Sequence, residues 1–323
     1  NVFRAYGAEV EREFYINDRG AQILALGHSV LKDAEAVYKG KYIDDIAEKI
    51  SSKNATEAGS EAATILMEEY IKKTIEKMGI KFDTWFSEKS LHESNLIPEI
   101  LEMLKQQKLT YEKDDALWLK TTQFSDDKDR VLVTKDGNHT YFISDIAYHF
   151  DKMKRGYDIL IDFWGADHHG YVERMKAGVE ILRQKENWSG KLEILIAQLV
   201  RLVSNGQEVK MSKREGTYVT LDELIDEVGA DVTRFFFLER ALNTHMDFDL
   251  ELAKEKSQKN PVYYVQYAYA RIHSILSKFE IRSTKSETNS KSQILNLLKQ
   301  KEEKALIKQL IKLPELVEEI VGD

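Results

Sequence analysis

The stretch that most constrains this chain is the apolar run Ile159-Leu160-Ile161-Asp162-Phe163-Trp164, which opens directly onto Gly165-Ala166-Asp167-His168-His169-Gly170. Six such residues ended by a polar, glycine-flanked turn read as a buried strand. A helical pattern follows from Val172 to Arg183, and then another apolar run from Leu192 to Val203. Strand, polar loop, helix and strand in that order predict an α/β fold with a doubly wound sheet, in which ligands sit at the carboxyl ends of the strands.

The flanks give weaker signals. Val131-Leu132-Val133 and Thr140-Tyr141-Phe142-Ile143 surround Asp136-Gly137-Asn138, which predicts a hairpin. A helix is expected after it, capped by Ser144 and ended near Gly156. From Tyr38 to about Asp129 the pattern is mostly helical, with Ala62, Ala63, Leu66, Met67, Tyr70 and Ile71 at helical spacing and Pro98 early in another helix. No catalytic constellation is visible there, so the segment reads as an insertion or supporting subdomain. At the start, Asn1 to Tyr6 reads as a helix end closed by Gly7, followed by a strand over Val10 to Ile16 and a helix from Ala21. Such an opening is expected of a piece of something larger. Beyond Asp247 the pattern is helical, with a stripe of Val262, Val265, Tyr269, Ile272 and Leu276 and a polar linker near Arg282 to Ser292.

Composition excludes several classes. The 323 residues suffice for two domains. There is no cysteine, so disulfides, thiolate catalysis and Cys-ligated metals are excluded, consistent with a cytoplasmic protein. No run approaches a membrane span. The net charge of −8 argues against nucleic acid only globally, because Arg282 to Lys312 holds eight basic and three acidic residues.

The sharpest motif is Lys210-Met211-Ser212-Lys213-Arg214. Asn205-Gly206 predicts a tight turn, so a hairpin should project this basic segment at its exit. Two lysines and a serine on a mobile loop can neutralise charge building on a departing pyrophosphate. The segment resembles the signature loop of class I aminoacyl-tRNA synthetases. The stretches Phe14–Asp18, Thr140–His149, Trp164–Tyr171 and Asn260–Ala268 are similar to the arginyl-tRNA synthetase family specifically, in family order.

The resemblance implies a partial Rossmann-like catalytic domain over 1–250, with a helical insertion at about 38–129 and the second half of the nucleotide fold at 130–220. The start of an all-α anticodon-binding domain would occupy 251–323. It implies that arginine is joined to tRNA(Arg) through an arginyl-adenylate made from ATP with Mg2+, by a monomeric cytoplasmic enzyme. Lys210, Ser212 and Lys213 would act on the phosphates, with Arg214 keeping the loop in shape. Gly165, His168, Val209 and Met211 would contact ATP. Tyr141 and Asp145, four apart at a helix start, face the same way. An acidic group beside a phenol suits a guanidinium, and the resemblance implies that these two line the arginine pocket, completed by Asp167 or His168. His168-His169 is not expected to bind zinc, because adjacent side chains diverge and no third ligand is spaced nearby. The family's His-x-Gly-His phosphate motif is absent from these residues, so little activity is expected of this chain alone. Two rivals remain: a non-catalytic module that binds tRNA or arginine, and a class I synthetase for another amino acid.

Overall fold

Residues 2–209, 219–283 and 300–322 are described by the computed structural model. The backbone forms two units, one from Phe14–Lys81 and Trp85–Lys254, the other from Asn1–Glu13, Phe82–Thr84 and Glu255–Asp323. The chain enters through α1 (Val2–Tyr6) and β1 (Glu13–Ile16). Helices α2 (Ala21–Leu31), α3 (Lys41–Ala47) and α4 (Ala55–Ile65) bury Leu26, Val30, Ile43, Ile46, Ala58 and Ala62 against one another. Gly27 and Gly59 let α2 and α4 touch through their backbones. A Cβ on Gly59 would lie 2.0 Å from the Ile23 carbonyl oxygen. Helix α4 continues through a π-turn (Leu66–Ile71) into α5 (Lys72–Lys77).

Next come β2 (Thr84–Ser87), paired with β1, then α6 (Glu88–Glu93) and α7 (Leu96–Gln106). Strands β3 (Thr110–Lys113), β4 (Ala116–Leu119) and β5 (Arg130–Val133) form an antiparallel sheet. The segment expected to be mostly helical therefore also contributes strands. Helix α8 (Tyr141–Lys154) follows, buried through Phe142, Ile143, Ile146, Ala147, Phe150 and Met153. This corrects two expectations. Thr140–Ile143 is not a strand, because only Val133 and His139 bridge across the turn. Thr140, in extended conformation, is the N-cap residue, and Ser144 lies inside the helix.

The βαβ expectation holds. Strand β6 (Ile159–Gly165) runs parallel to β7 (Lys191–Ala197), in register from Ile159 with Lys191 to Gly165 with Ala197. A 3-10 turn (Ala166–Tyr171) and α9 (Val172–Glu186) connect them. The run Leu192–Val203 is not one strand. Its second half is β8 (Val200–Ser204), which pairs in parallel with β10 (Met246–Asp249) and in antiparallel with β9 (Gln207–Glu208). The predicted turn sits at Asn205-Gly206, both with positive φ. Helix α10 (Leu221–Val228) begins with a capping box between Thr220 and Glu223, and α11 (Ala230–Glu239) and α12 (Leu250–Lys254) complete this unit.

In the other unit, Arg4 and Arg12 meet Asp83, each at 3.2 Å. Helices α13 (Pro261–Ser283), α14 (Lys301–Ile311) and α15 (Leu313–Gly322) follow, the first begun by buried Asn260, whose side chain accepts from the Val262 N–H at 3.0 Å.

Candidate active site

The first turns of α8 carry two of the expected pocket residues. Tyr141, 65% exposed, stands at the helix start, and its hydroxyl lies 3.7 Å from where a Gly20 Cβ would be. The fourth residue on is Asp145, partly buried. The Tyr171 hydroxyl donates to Asp145 Oδ2 at 2.6 Å. Tyr171 is fixed by the Phe142 ring at 6.2 Å, edge-on, and by the Arg174 guanidinium 4.7 Å above its own ring.

A second carboxylate reaches the same place from a segment in which no site was visible in sequence. Glu88, 4% exposed, opens α6 directly after Ser87. Ser87 Oγ donates to Asp18 Oδ2 at 2.5 Å and the Lys89 N–H to Asp18 Oδ1 at 2.8 Å, tying the start of α6 to the turn after β1. Burial, the Asp145 charge and Asp18 push the Glu88 carboxyl up to about 6, against the opposing pull of Arg19. Burial likewise raises Asp145, while the Tyr171 bond and His149 pull it back. Tyr15 lies among Glu88, Asp145, Asp18 and Tyr141, and burial together with those groups keeps its phenol protonated. Two acidic groups and two partly buried phenols thus lie near enough to feel one another's charge, a setting that favours a cationic ligand.

Nearby, His92 Nε2 lies 3.1 Å from Arg19 Nη1 and 3.0 Å from Ser144 Oγ. Arginine can only donate, so this nitrogen accepts and the ring is neutral. Burial, Arg19 and His139 lower the His92 pKa in the same sense.

At the carboxyl end of β6, a Cβ on Gly165 would meet the exposed Asp167 Oδ1 at 2.6 Å, so a larger residue there would displace that carboxylate. Asp167 and His168 are both exposed and paired at 3.6 Å, and the His168 charge is felt at Asp145. Val209 donates its N–H to the Leu202 carbonyl at 2.9 Å, at the exit of the β8–β9 hairpin. Lys210, Met211, Ser212, Lys213 and Arg214 lie outside the described residues. Tyr171 could have been suspected as the last residue of the Trp164–Tyr171 stretch. Tyr15 likewise lies in the Phe14–Asp18 stretch, whereas Glu88 carries no local pattern, and only the fold brings it near Asp145.

Comparison with known proteins places the chain in a family. The family described as tRNA synthetases class I (R), catalytic domain, matches residues 28–247, and the DALR anticodon binding domain matches residues 265–323. The chain is 41% identical to an arginine–tRNA ligase from Aquifex aeolicus, over 99% of this chain and 64% of that protein. It is 49% identical to one from Staphylococcus aureus, over 86% of this chain and 54% of that protein. It therefore spans between about half and two thirds of the curated relatives it matches. The structure of an arginyl-tRNA synthetase from Campylobacter jejuni superimposes with a TM-score of 0.77 at 38% identity, over 86% of this chain and 64% of that one. That of Thermus thermophilus shares the fold, with a TM-score of 0.68 at 19% identity, over 98% of this chain and 65% of that one. With the class I (R) catalytic-domain profile covering most of the chain, and an α/β unit that carries its parallel β6–β7 pair, this chain belongs to the class I arginyl-tRNA synthetase family.

Proposed function

We propose that the protein joins arginine to tRNA(Arg). The observation that carries this reading is the proximity of Asp145 to buried Glu88, two acidic groups raised by burial, with the charge of Asp145 felt at Glu88. A guanidinium stays protonated and offers a planar fork of donors, so it can satisfy both at once. Tyr141, Tyr15 and Tyr171 would shape the pocket, with Asp167 or His168 at its nucleotide side. The arginine carboxylate attacks the α-phosphate of ATP in line. A bond forms from carboxylate oxygen to phosphorus, the bond to the bridging oxygen breaks, and pyrophosphate leaves. A hydroxyl of the terminal tRNA ribose then takes the arginyl group and AMP departs. Gly165, His168, Val209 and Met211 would border the nucleotide, while Lys210, Ser212 and Lys213 would neutralise the leaving phosphates. Magnesium enters as part of the substrate, on the nucleotide phosphates.

In this reading residues 1–250 belong to the catalytic domain and 251–323 to the anticodon-binding domain. The enzyme works as a monomer in the cytoplasm. Because His-x-Gly-His does not occur in these 323 residues, we expect little exchange from them alone.

The test is binding and chemistry together. The protein should bind arginine and not the uncharged isostere citrulline. With tRNA present, the complete enzyme should exchange pyrophosphate into ATP only when arginine is added. Asp145→Asn should weaken arginine binding by about 30-fold or more, the equivalent of about 2 kcal/mol or more for one partner of a buried charge pair. Equal binding of citrulline and arginine would refute the guanidinium pocket.

A further inference from the structure

Beneath the pocket lies a buried group of charges that the reading above does not use. His149, Asp162 and Lys152 are 2%, 8% and 9% exposed. His149 Nδ1 is 2.7 Å from the main-chain carbonyl oxygen of Asp145, and His149 Nε2 is 2.6 Å from Asp162 Oδ2. Lys152 Nζ donates to Asp162 Oδ1 at 2.6 Å. A carbonyl oxygen only accepts, so Nδ1 donates. Asp162 takes the Lys152 ammonium on its other oxygen, and although burial alone would raise its carboxyl, His149 and Lys152 hold it well below the usual range. Asp162 is thus a carboxylate, and Nε2 also donates. With both nitrogens donating, His149 is an imidazolium. His149 and Lys152 against Asp162 leave one net positive charge, and it lies one helical turn below Asp145.

We propose that His149 is a positioning residue of the arginine pocket: held between the Asp145 carbonyl and Asp162, it pins this turn of α8 and supplies the buried positive charge that lets Asp145 stay anionic beside Glu88. The proposal rests on the reading of these residues as a guanidinium site. Two neighbouring carboxyls withdrawn from water otherwise tend to hold a proton, which opposes the binding of a cation. The groups facing Asp145 are Tyr171 and His168 from the turn after β6, Asp162 from β6, and His149 on its own helix. Glu88 of α6 and Tyr15 of β1 also lie near it. Among these partners, His149 and His168 are the groups that lower its proton affinity by charge, and His168 is exposed whereas His149 is buried. The sequence offers a related sign: Asp145, His149 and Lys152 fall on one face of α8 at spacings of four and three, aimed at the middle of β6.

Arginine affinity measured by calorimetry as a function of pH, across the range in which the protein stays folded, tests this, with citrulline as control. The affinity of the protein should be constant at high pH and fall below a break where Asp145 takes up its proton. In His149→Gln the break should move up by about one pH unit. Below it the variant should bind arginine about tenfold more weakly than the parent, and above it within about threefold. Should His149→Gln fail to fold, Lys152→Gln carries the same test with the same direction of shift. A loss of equal size at every pH, or an unmoved break, would mean that His149 only packs the core and would overturn the proposal. Failure of the unsubstituted protein to prefer arginine over citrulline would instead refute the pocket reading on which it depends.

Discussion

Glu88→Gln should make the protein more stable at neutral pH while weakening its hold on arginine. The Glu88 carboxyl is raised from its ordinary 4.5 to about 6, first by burial and then by Asp145. Between those two values the native state keeps a proton that the unfolded chain has released. Native stability therefore falls as pH rises through that window, and the full penalty persists above about 6. A gap of about 1.5 units at about 1.4 kcal/mol each is about 2 kcal/mol. Glutamine keeps the shape and drops the charge, at the expense of a buried amide that needs partners, so the net gain should be about 1–2 kcal/mol at about pH 7.5. Urea unfolding followed by circular dichroism at about pH 7.5 and about pH 4.5 measures it. The gain should shrink towards zero at the lower pH, because both side chains are then neutral. A variant less stable at about pH 7.5, or a gain independent of pH, would refute the electrostatic account of the pocket. If the gain appears without any loss of arginine affinity, Glu88 is strained for some other ligand. Stability surrendered at a binding site is the general expectation where like charges wait for an opposite one.

Gly59→Ala should lower the melting temperature by about 6–12 °C, since its Cβ would meet the Ile23 carbonyl at 2.0 Å and α2 and α4 must part by about 1 Å, at about 3 kcal/mol. An unchanged melting curve would show that the helices slide freely. Asp126→Asn should destabilise by about 3–5 kcal/mol at neutral pH, because Arg130 grips Asp126 through Nε at 2.7 Å and Nη2 at 2.6 Å in a buried setting. Burial alone would raise Asp126, but the Arg130, Thr121 and Asp127 bonds hold it at about 2. The stability it adds is present above about pH 4 and lost as pH falls towards about 2, so the gap between parent and variant should narrow by about 2.5 kcal/mol over that range in acid unfolding.

Local patterning made much of the catalytic unit legible. The turn from β6 into α9 and the parallel partner β7 were readable because a buried parallel strand is apolar along its length and its end is marked by glycine. Where the reading failed, long-range packing outweighed local preference. Thr140-Tyr141-Phe142-Ile143 has the composition of a strand, yet Phe142, Ile143, Ile146, Ala147, Phe150 and Met153 share one helical face, and burying that face decides for α8. Leu192–Val203 divides because β7 pairs with β6 while β8 pairs with β10. At the break, the Gln198 N–H turns to the Leu242 carbonyl at 2.9 Å, a partner no local window contains.

The site shows the same division between local and distant information. Tyr141 and Asp145 share a helix start, so spacing alone aligns them. Glu88 stands 57 positions before Asp145 and acquires meaning only when α6 is brought against α8. That apposition rests on small polar contacts: Asp18 holds the start of α6 through Ser87 and Lys89, and Ser144 of α8 meets His92 of α6 at 3.0 Å. The Glu88 carboxylate is therefore held near Asp145 by hydrogen bonds made by its neighbours, and in the proposed reading its own oxygens would serve a ligand. Breaking these contacts should damage arginine binding without touching a group that contacts it, whereas pocket substitutions such as Glu88→Gln should do so while leaving the apposition of α6 and α8 intact.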